Sequence, residues 1–244
     1  MKSITFDRIG HIPRNSTAAL AAFISSIPFI FLTLFFVCNE RALRAASGYG
    51  VLEFEIAWTP KTVDKIFAAW GPGNMQYQIF VHRVDYLYLL AYGLFGLFCI
   101  LLLARGLEGR LQRVGFFFVL APVLAAVFDA MENVFLLSML TRGEPGGRSY
   151  PALASLCATF KIAFIGATVG FIFMAAALLL ARRLRVKDVY YYLALAVYGG
   201  ILVWLLLLWN AYLCYVIGPV YLAIAALFVW IIKGEGGQST QPAA

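Results

Sequence analysis

The sequence predicts an all-α membrane protein: a bundle of about six transmembrane helices with a short amphipathic cap outside the membrane. The first observation is composition, because 63% of the 244 residues are hydrophobic and 13% are charged. Soluble proteins are about 45–50% apolar and about 25% charged. The second is that several apolar runs reach the roughly 20 residues that a helix needs to cross a bilayer. An ordinary soluble domain is therefore excluded.

Six runs are long and apolar enough to be spans. In chain order they are Thr17 to Cys38, Val84 to Leu103, Val114 to Leu140, Leu153 to Leu180, Val189 to Leu208 and Ala211 to Ile232. Only Trp209-Asn210 separates the last two. A single helix there would be about twice the length that a bilayer requires, so a tight hairpin is favoured, and five spans is the alternative.

The net charge of +7 is explained by basic residues in the segments that flank and connect the predicted spans. With the N-terminus inside, the inner segments hold more Lys and Arg than the outer ones, as the positive-inside rule requires. This predicts an integral, multi-pass protein with both termini cytoplasmic and with lipid, not nucleic acid, as its surroundings. Residues 1–16 form the cytoplasmic N-terminal segment, residues 17–232 the transmembrane domain, and residues 233–244 a disordered tail.

The longest outer segment, residues 39–83, is expected to form the cap. VLEFEIAW (51–58) alternates apolar and polar side chains like a strand. Thr59-Pro60 is a helix-start signal, and Gly71-Pro72-Gly73 is expected to stop that helix. Apolar residues at helical spacing and Trp58 and Trp70 at its ends favour an amphipathic helix on the outer membrane surface. Packing on the protein's own loops is the alternative.

The most informative stretch is FDAMENVFL (128–136), which places acids in an apolar span. On a helix, the polar residues share one stripe with a proline and two alanines: Pro122, Ala125, Ala126, Asp129, Glu132 and Asn133. Small residues allow close helix approach, and carboxylates in membranes face the protein interior. The acids are therefore expected inside the bundle.

Lys161 is the natural partner for these acids, because it is the one basic residue within a predicted span. Glu132 and Lys161 each lie about eight residues from the outer boundary, or roughly 12 Å at 1.5 Å per residue. This predicts a buried ion pair between Lys161 and Glu132 or Asp129.

The second predicted span contributes further polar groups at the same level. His82, Arg83 and Asp85 lie at its outer end, and Asp85, Tyr88 and Tyr92 share a helical stripe. The candidate binding residues are thus Asp85, Tyr88, Tyr92, Asp129, Glu132, Asn133 and Lys161. The candidate rim residues are Glu53, Glu55, His82 and Arg83.

Two acids facing one amine leave a surplus negative charge that is unfavourable in hydrocarbon. Either one acid is protonated, or Arg83 or His82 reaches in, or a cation or water-filled cavity completes the site. The residues alone do not choose between these remedies.

Recognised catalytic motifs and cofactor-binding motifs are absent from the sequence. Histidine occurs only at His11 and His82, which excludes a His-rich metal site. No catalytic residue, metal or cofactor is therefore predicted. An oxygen-rich metal site of Asp85, Asp129, Glu132 and His82 is the alternative.

These observations leave three hypotheses for function. The first is a non-enzymatic subunit or scaffold of a membrane complex, in which the buried network packs helices and other membrane subunits are partners. The second is a transporter or binding protein for a proton, cation or amphipathic ligand that uses the cluster. The third is an intramembrane lipid-modifying enzyme. The first is favoured because catalytic motifs are absent and because the sixth predicted span has no acid to match the third, as an inverted-repeat transporter would require.

One pattern resembles small, uncharacterised polytopic membrane proteins. It consists of LEFE (52–55), WTPKTVDKIFAAWG (58–71), the Tyr-flanked Asp85 and the D-x-x-E-N motif at 129–133. The resemblance covers roughly residues 50–140. It implies a polytopic membrane fold and no particular activity.

Overall fold

The computed structural model describes residues 15–147 and 149–184, and this part of the chain is helical without a strand. The helices are α1 (Asn15–Ser47), α2 (Val51–Glu55), α3 (Pro60–Gly106), α4 (Gly109–Phe118), α5 (Leu120–Arg142) and α6 (Ser149–Leu184). Helix α3 packs against both α1 and α5, and α6 packs mainly on α5.

Among the described residues, four helical segments are long and apolar enough to cross a membrane: Thr17–Ser47, Pro60–Gly106, Gly109–Arg142 and Ser149–Ala176. Large apolar side chains such as Phe23 and Phe31 of α1 are exposed, at 66% and 70% of their surface. Exposed apolar surface of this extent is typical of a lipid-facing helix. The predicted class of helical membrane protein is supported, whereas the count of six is not confirmed. The fifth and sixth predicted spans, 189–232, lie outside the described residues.

The predicted strand at 51–58 is wrong, because Val51–Glu55 forms a turn of helix. Its first amides are satisfied by side chains: Gly50 N–H donates to Glu53 at 2.9 Å, and Val51 N–H donates to Glu40 at 2.6 Å. Side chains that accept hydrogen bonds from the free amides at a helix N-terminus stabilise a short helix. Alternating polarity arises here because Phe54 packs inward, not because a sheet is present.

The predicted helix start at Thr59 is confirmed, since its side chain accepts a hydrogen bond from Thr62 N–H. The predicted stop at Gly71-Pro72-Gly73 is wrong. Gly71 adopts φ 67° and ψ 170°, which breaks the helix locally, and Pro72 begins the next helical stretch directly. Residues 60–83 of the predicted outer segment and the second predicted span are therefore parts of one kinked helix, α3.

The amphipathic cap on the membrane surface is not supported. Its apolar face packs on the protein's own helices, because Val63, Ile66, Phe67 and Trp70 are buried with residues of α5 such as Leu136 and Met139. The Trp70 indole donates to the Tyr49 carbonyl at 2.9 Å instead of anchoring at an interface. This packing gives the end of the bundle near α2 its own hydrophobic core.

The third predicted span is divided between α4 and α5 at Val119. Pro122 explains the break, because it lacks the N–H that would bond to the carbonyl one turn earlier and its ring crowds that turn. The break leaves Pro122 on the face of α5 that meets α3, beneath the acids.

Candidate functional site

Helix α5 presents its polar residues to the interior of the bundle, as the stripe predicts. Asp129, Glu132 and Asn133 are 4%, 0% and 2% exposed, and Ala125 is completely buried. The small residues permit α3 to come close: a Cβ added at Gly93 would lie 3.3 Å from Ala126 Cβ. The polar groups of α3 and α5 are thereby brought within reach of each other.

Lys161 of α6 lies at the centre of the acids. Its Nζ is 2.8 Å from Glu132 Oε2 and 3.3 Å from Asp129 Oδ1, and the residue is 8% exposed. The predicted ion pair is confirmed, and it includes both acids instead of one. This contact places the Glu132 and Lys161 side chains at one level of the bundle.

Glu55 is a third acid in direct contact with Lys161, at 3.1 Å from Nζ. The sequence places it at the rim, but α2 turns its carboxylate inward. Ser155 Oγ of α6 donates to the Glu55 carbonyl at 3.0 Å, which fixes α2 against α6. Burial raises the pKa of the Glu55 carboxyl; Lys161 opposes this shift, and Asp129 adds to it. Glu55 therefore retains a proton to a higher pH than an exposed carboxyl does.

Asp85 and the tyrosines of α3 extend the cluster on its other side. Asn133 Nδ2 donates to Asp85 Oδ2 at 2.6 Å, and the Tyr92 hydroxyl donates to Asp129 Oδ2 at 2.9 Å. Thr33 Oγ1 of α1 donates to the Tyr88 hydroxyl at 3.2 Å. All seven candidate binding residues thus converge on one region.

Charge within this region is unbalanced. Among the described residues, Glu55, Asp85, Asp129 and Glu132 face a single amine, that of Lys161, and three of the four are in contact with it. Within the described part of the chain, Asp85 has no cationic partner. Glu132 Oε1 is buried without a hydrogen-bond partner among the same residues. The cluster therefore has capacity for further positive charge.

The other rim candidates do not join the cluster. Arg83 is exposed and forms no ion pair with the described acids, so it does not supply the missing charge. His82 is buried, with Nδ1 2.8 Å from the Gln78 carbonyl and its ring edge-on to Phe54. Glu53 instead pairs with Arg44 at 2.5 Å on the outside of α2.

Three polar residues near the site were missed at the level of sequence. Asn39 and Gln78 form a buried side-chain hydrogen bond between α1 and α3, and Glu40 holds the Val51 amide. Gln78 lies four residues before His82 and seven before Asp85, so extending the polar stripe of the second span backwards would have found it. The other two lie just beyond the first predicted span.

A cavity of about 250 Å³ opens beside the cluster. Its polar wall is formed by residues of α1, α2, α3, α5 and α6: Asn39, Glu40, Glu55, Asp85, Asp129 and Lys161. Tyr88, Tyr92 and Phe36 form its aromatic wall. Because a water molecule occupies about 30 Å³ in the liquid, the space exceeds that of a single water or small ion.

No described group of three or more His, Cys, Asp or Glu is arranged to hold a metal ion. What the described helices hold is a carboxylate-rich polar site inside a helical, membrane-type bundle. No protein-family model, curated protein or solved structure matches the chain. The geometry of the site is therefore what indicates a function.

Proposed function

We propose that this chain is a membrane-embedded binding protein for an organic cation, with the carboxylate cluster as its binding site. The observation that carries the proposal is Asp85, an acid that lines the 250 Å³ cavity and has no cationic partner among the described residues. A cation beside Asp85 would offset charge that is otherwise unfavourable in a low-dielectric interior.

The walls of the cavity favour an ammonium over a metal ion. The rings of Tyr88 and Tyr92 meet edge to face, with centroids 5.4 Å apart, next to Asp85. Aromatic faces attract an organic cation without coordinating it, and the effect grows where water is excluded. A small inorganic ion would leave most of the cavity unfilled.

This proposal is a specific form of the second functional hypothesis, a binding protein for a cation. Interhelical polar contacts in membranes contribute about 0.6 kcal/mol each, so helix packing alone accounts poorly for four acids around one amine. Association with lipid and with other membrane subunits remains a prediction. So do the two further spans at 189–232 and the cytoplasmic position of both termini.

Binding of methylammonium to the detergent-purified full chain tests the proposed function. Methylammonium chloride, exchanged against sodium chloride at constant ionic strength, should raise the thermal unfolding midpoint with increasing concentration, because it binds the folded state. Asp85→Asn should abolish the rise while retaining an acceptor for Asn133. The matched control is Asp64→Asn, an exposed acid on the same helix, which should keep the rise. Equal responses of the two variants, or no response of the native chain, would refute the proposal.

A further inference from the structure

A second, apolar cavity of about 150 Å³ lies next to the first, toward Phe95 and Pro122. The described residues of its walls come from α1, α3, α5 and α6, and they carry no charged side chain. Phe29, Phe95, Pro122, Val169 and Ile172 are among the lining residues. Apolar cavities of about this size in proteins stay dry and bind small hydrocarbons such as benzene.

The two cavities share Tyr88, Tyr92 and Ile165 as lining residues. Tyr92 illustrates the junction: its hydroxyl donates to Asp129 in the polar site, and its ring lines the apolar cavity. Along α3 the polarity falls in one direction, from Asp85 through the tyrosines to Phe95, over about 15 Å at 1.5 Å per residue. The site is therefore acidic at one end and hydrocarbon-like at the other.

We infer that the cation is the ammonium head of a single-chain alkylamine, with the head at Asp85 and a tail on the order of six carbons in the apolar cavity. The inference rests on the proposed function, and adds to it the chemical class of the ligand.

Each end of such a ligand meets a matching surface. The ammonium contacts the unpaired carboxylate and the tyrosine rings, and the alkyl chain passes between Tyr88, Tyr92 and Ile165 into the second cavity. Each cavity alone is below the roughly 300–1,000 Å³ typical of small-molecule sites, and together they reach the lower part of that range. A two-chain lipid is too large for the apolar cavity.

A chain-length series tests the inference. Methyl-, butyl-, hexyl- and decylammonium are titrated into the full chain in lipid nanodiscs by calorimetry, with empty nanodiscs as blanks. Affinity should rise about fourfold per methylene up to about six carbons and then level off, because the tail fills the cavity. Val169→Phe, which fills the apolar cavity, should remove this gain and leave methylammonium binding unchanged. Ile172→Phe, at another wall of the same cavity, gives the same expectation should Val169→Phe not fold.

The matched control is Leu156→Phe, which adds a ring to α6 at a position 43% exposed and away from both cavities. It should retain the chain-length gain. Affinity that is independent of chain length, or that rises equally in the native chain and Val169→Phe through decylammonium, would overturn the inference while Asp85-dependent methylammonium binding stands. Loss of Asp85-dependent binding for every ammonium would instead overturn the proposed function.

Discussion

At the scale of single residues, Lys161 determines the character of the site. Its amine is within 3.3 Å of carboxylate oxygens from Glu55, Asp129 and Glu132, in a position where isolated charge of either sign is strongly unfavourable. The compact ammonium group can contact three acids from different directions, which a planar guanidinium does less readily. The Lys161 cation on α6 thus permits α2 and α5 to place their acids together.

Replacing Lys161 by Met should lower the free energy of unfolding by about 3–5 kcal/mol, because the acids lose their buried partner. Denaturant or thermal unfolding of the purified protein measures the change. Adding Glu132→Gln to Lys161→Met should recover part of the loss, since it removes one of the uncompensated charges.

Lys65→Met serves as the control for Lys161→Met, because Lys65 is exposed on α3 and is outside the ion-pair cluster. It should change stability little. If the two lysine variants were equally stable, Lys161 would not be neutralising the cluster.

At the scale of helices, close approach of α3 to its neighbours brings the polar groups together. A Cβ at Gly96 would lie 3.0 Å from Pro122 Cβ and 3.1 Å from Thr168 Cγ2, so α3, α5 and α6 are in contact just below the site. The kink at Gly71 lets the N-terminal part of α3 cover the C-terminal end of α5 as well. One helix thereby contributes to both the hydrophobic core and the polar site.

Gly96→Ala should destabilise the protein by about 1–3 kcal/mol, because the added methyl group must displace well-packed atoms of two neighbouring helices. The measurement is the thermal unfolding midpoint in detergent.

Gly73→Ala is the matched control for Gly96→Ala. Gly73 lies in the same helix, is exposed and has nothing within 4 Å of an added Cβ. Alanine there should be neutral or stabilising by up to about 1 kcal/mol, because it favours the helix. A smaller loss at Gly96 than at Gly73 would show that the helices are not in close contact at this level.

At the scale of the whole molecule, the described residues form four membrane-length helical segments and a short connecting helix around an off-centre polar site. The acids and Lys161 lie toward the end of the bundle where α2 crosses and where α5 connects to α6. In the predicted topology this end faces outward, so the proposed ligand would enter from the outer side.

Labelling of single cysteines in intact cells tests that topology. In a cysteine-free background, Glu144→Cys in the α5–α6 loop should react with a membrane-impermeant maleimide, whereas Ser3→Cys and Ser239→Cys should react only after permeabilisation. The reason is that an even number of spans puts both termini on the side with more basic loops. Reaction of Ser239→Cys together with Glu144→Cys would indicate an odd number of spans.

Much of this architecture was predictable because helical periodicity follows from local sequence, and the thickness of a bilayer sets the length of a span. The apolar runs indicated four segments that the structure contains, and the spacing of Asp129, Glu132 and Asn133 placed them on one buried face. The similar distance of Lys161 and the acids from the ends of their predicted spans was sufficient to predict the ion pair that the structure contains.

The tertiary structure alone decided what completes the site. The conformation of Val51–Glu55 depends on contacts with Glu40 and Ser155, which are distant in sequence, so local alternation of polarity was misleading there. Glu55 joined the cluster through Lys161, 106 residues away. The cavities likewise exist only where several helices meet, because a void is a property of packed surfaces that no single segment encodes.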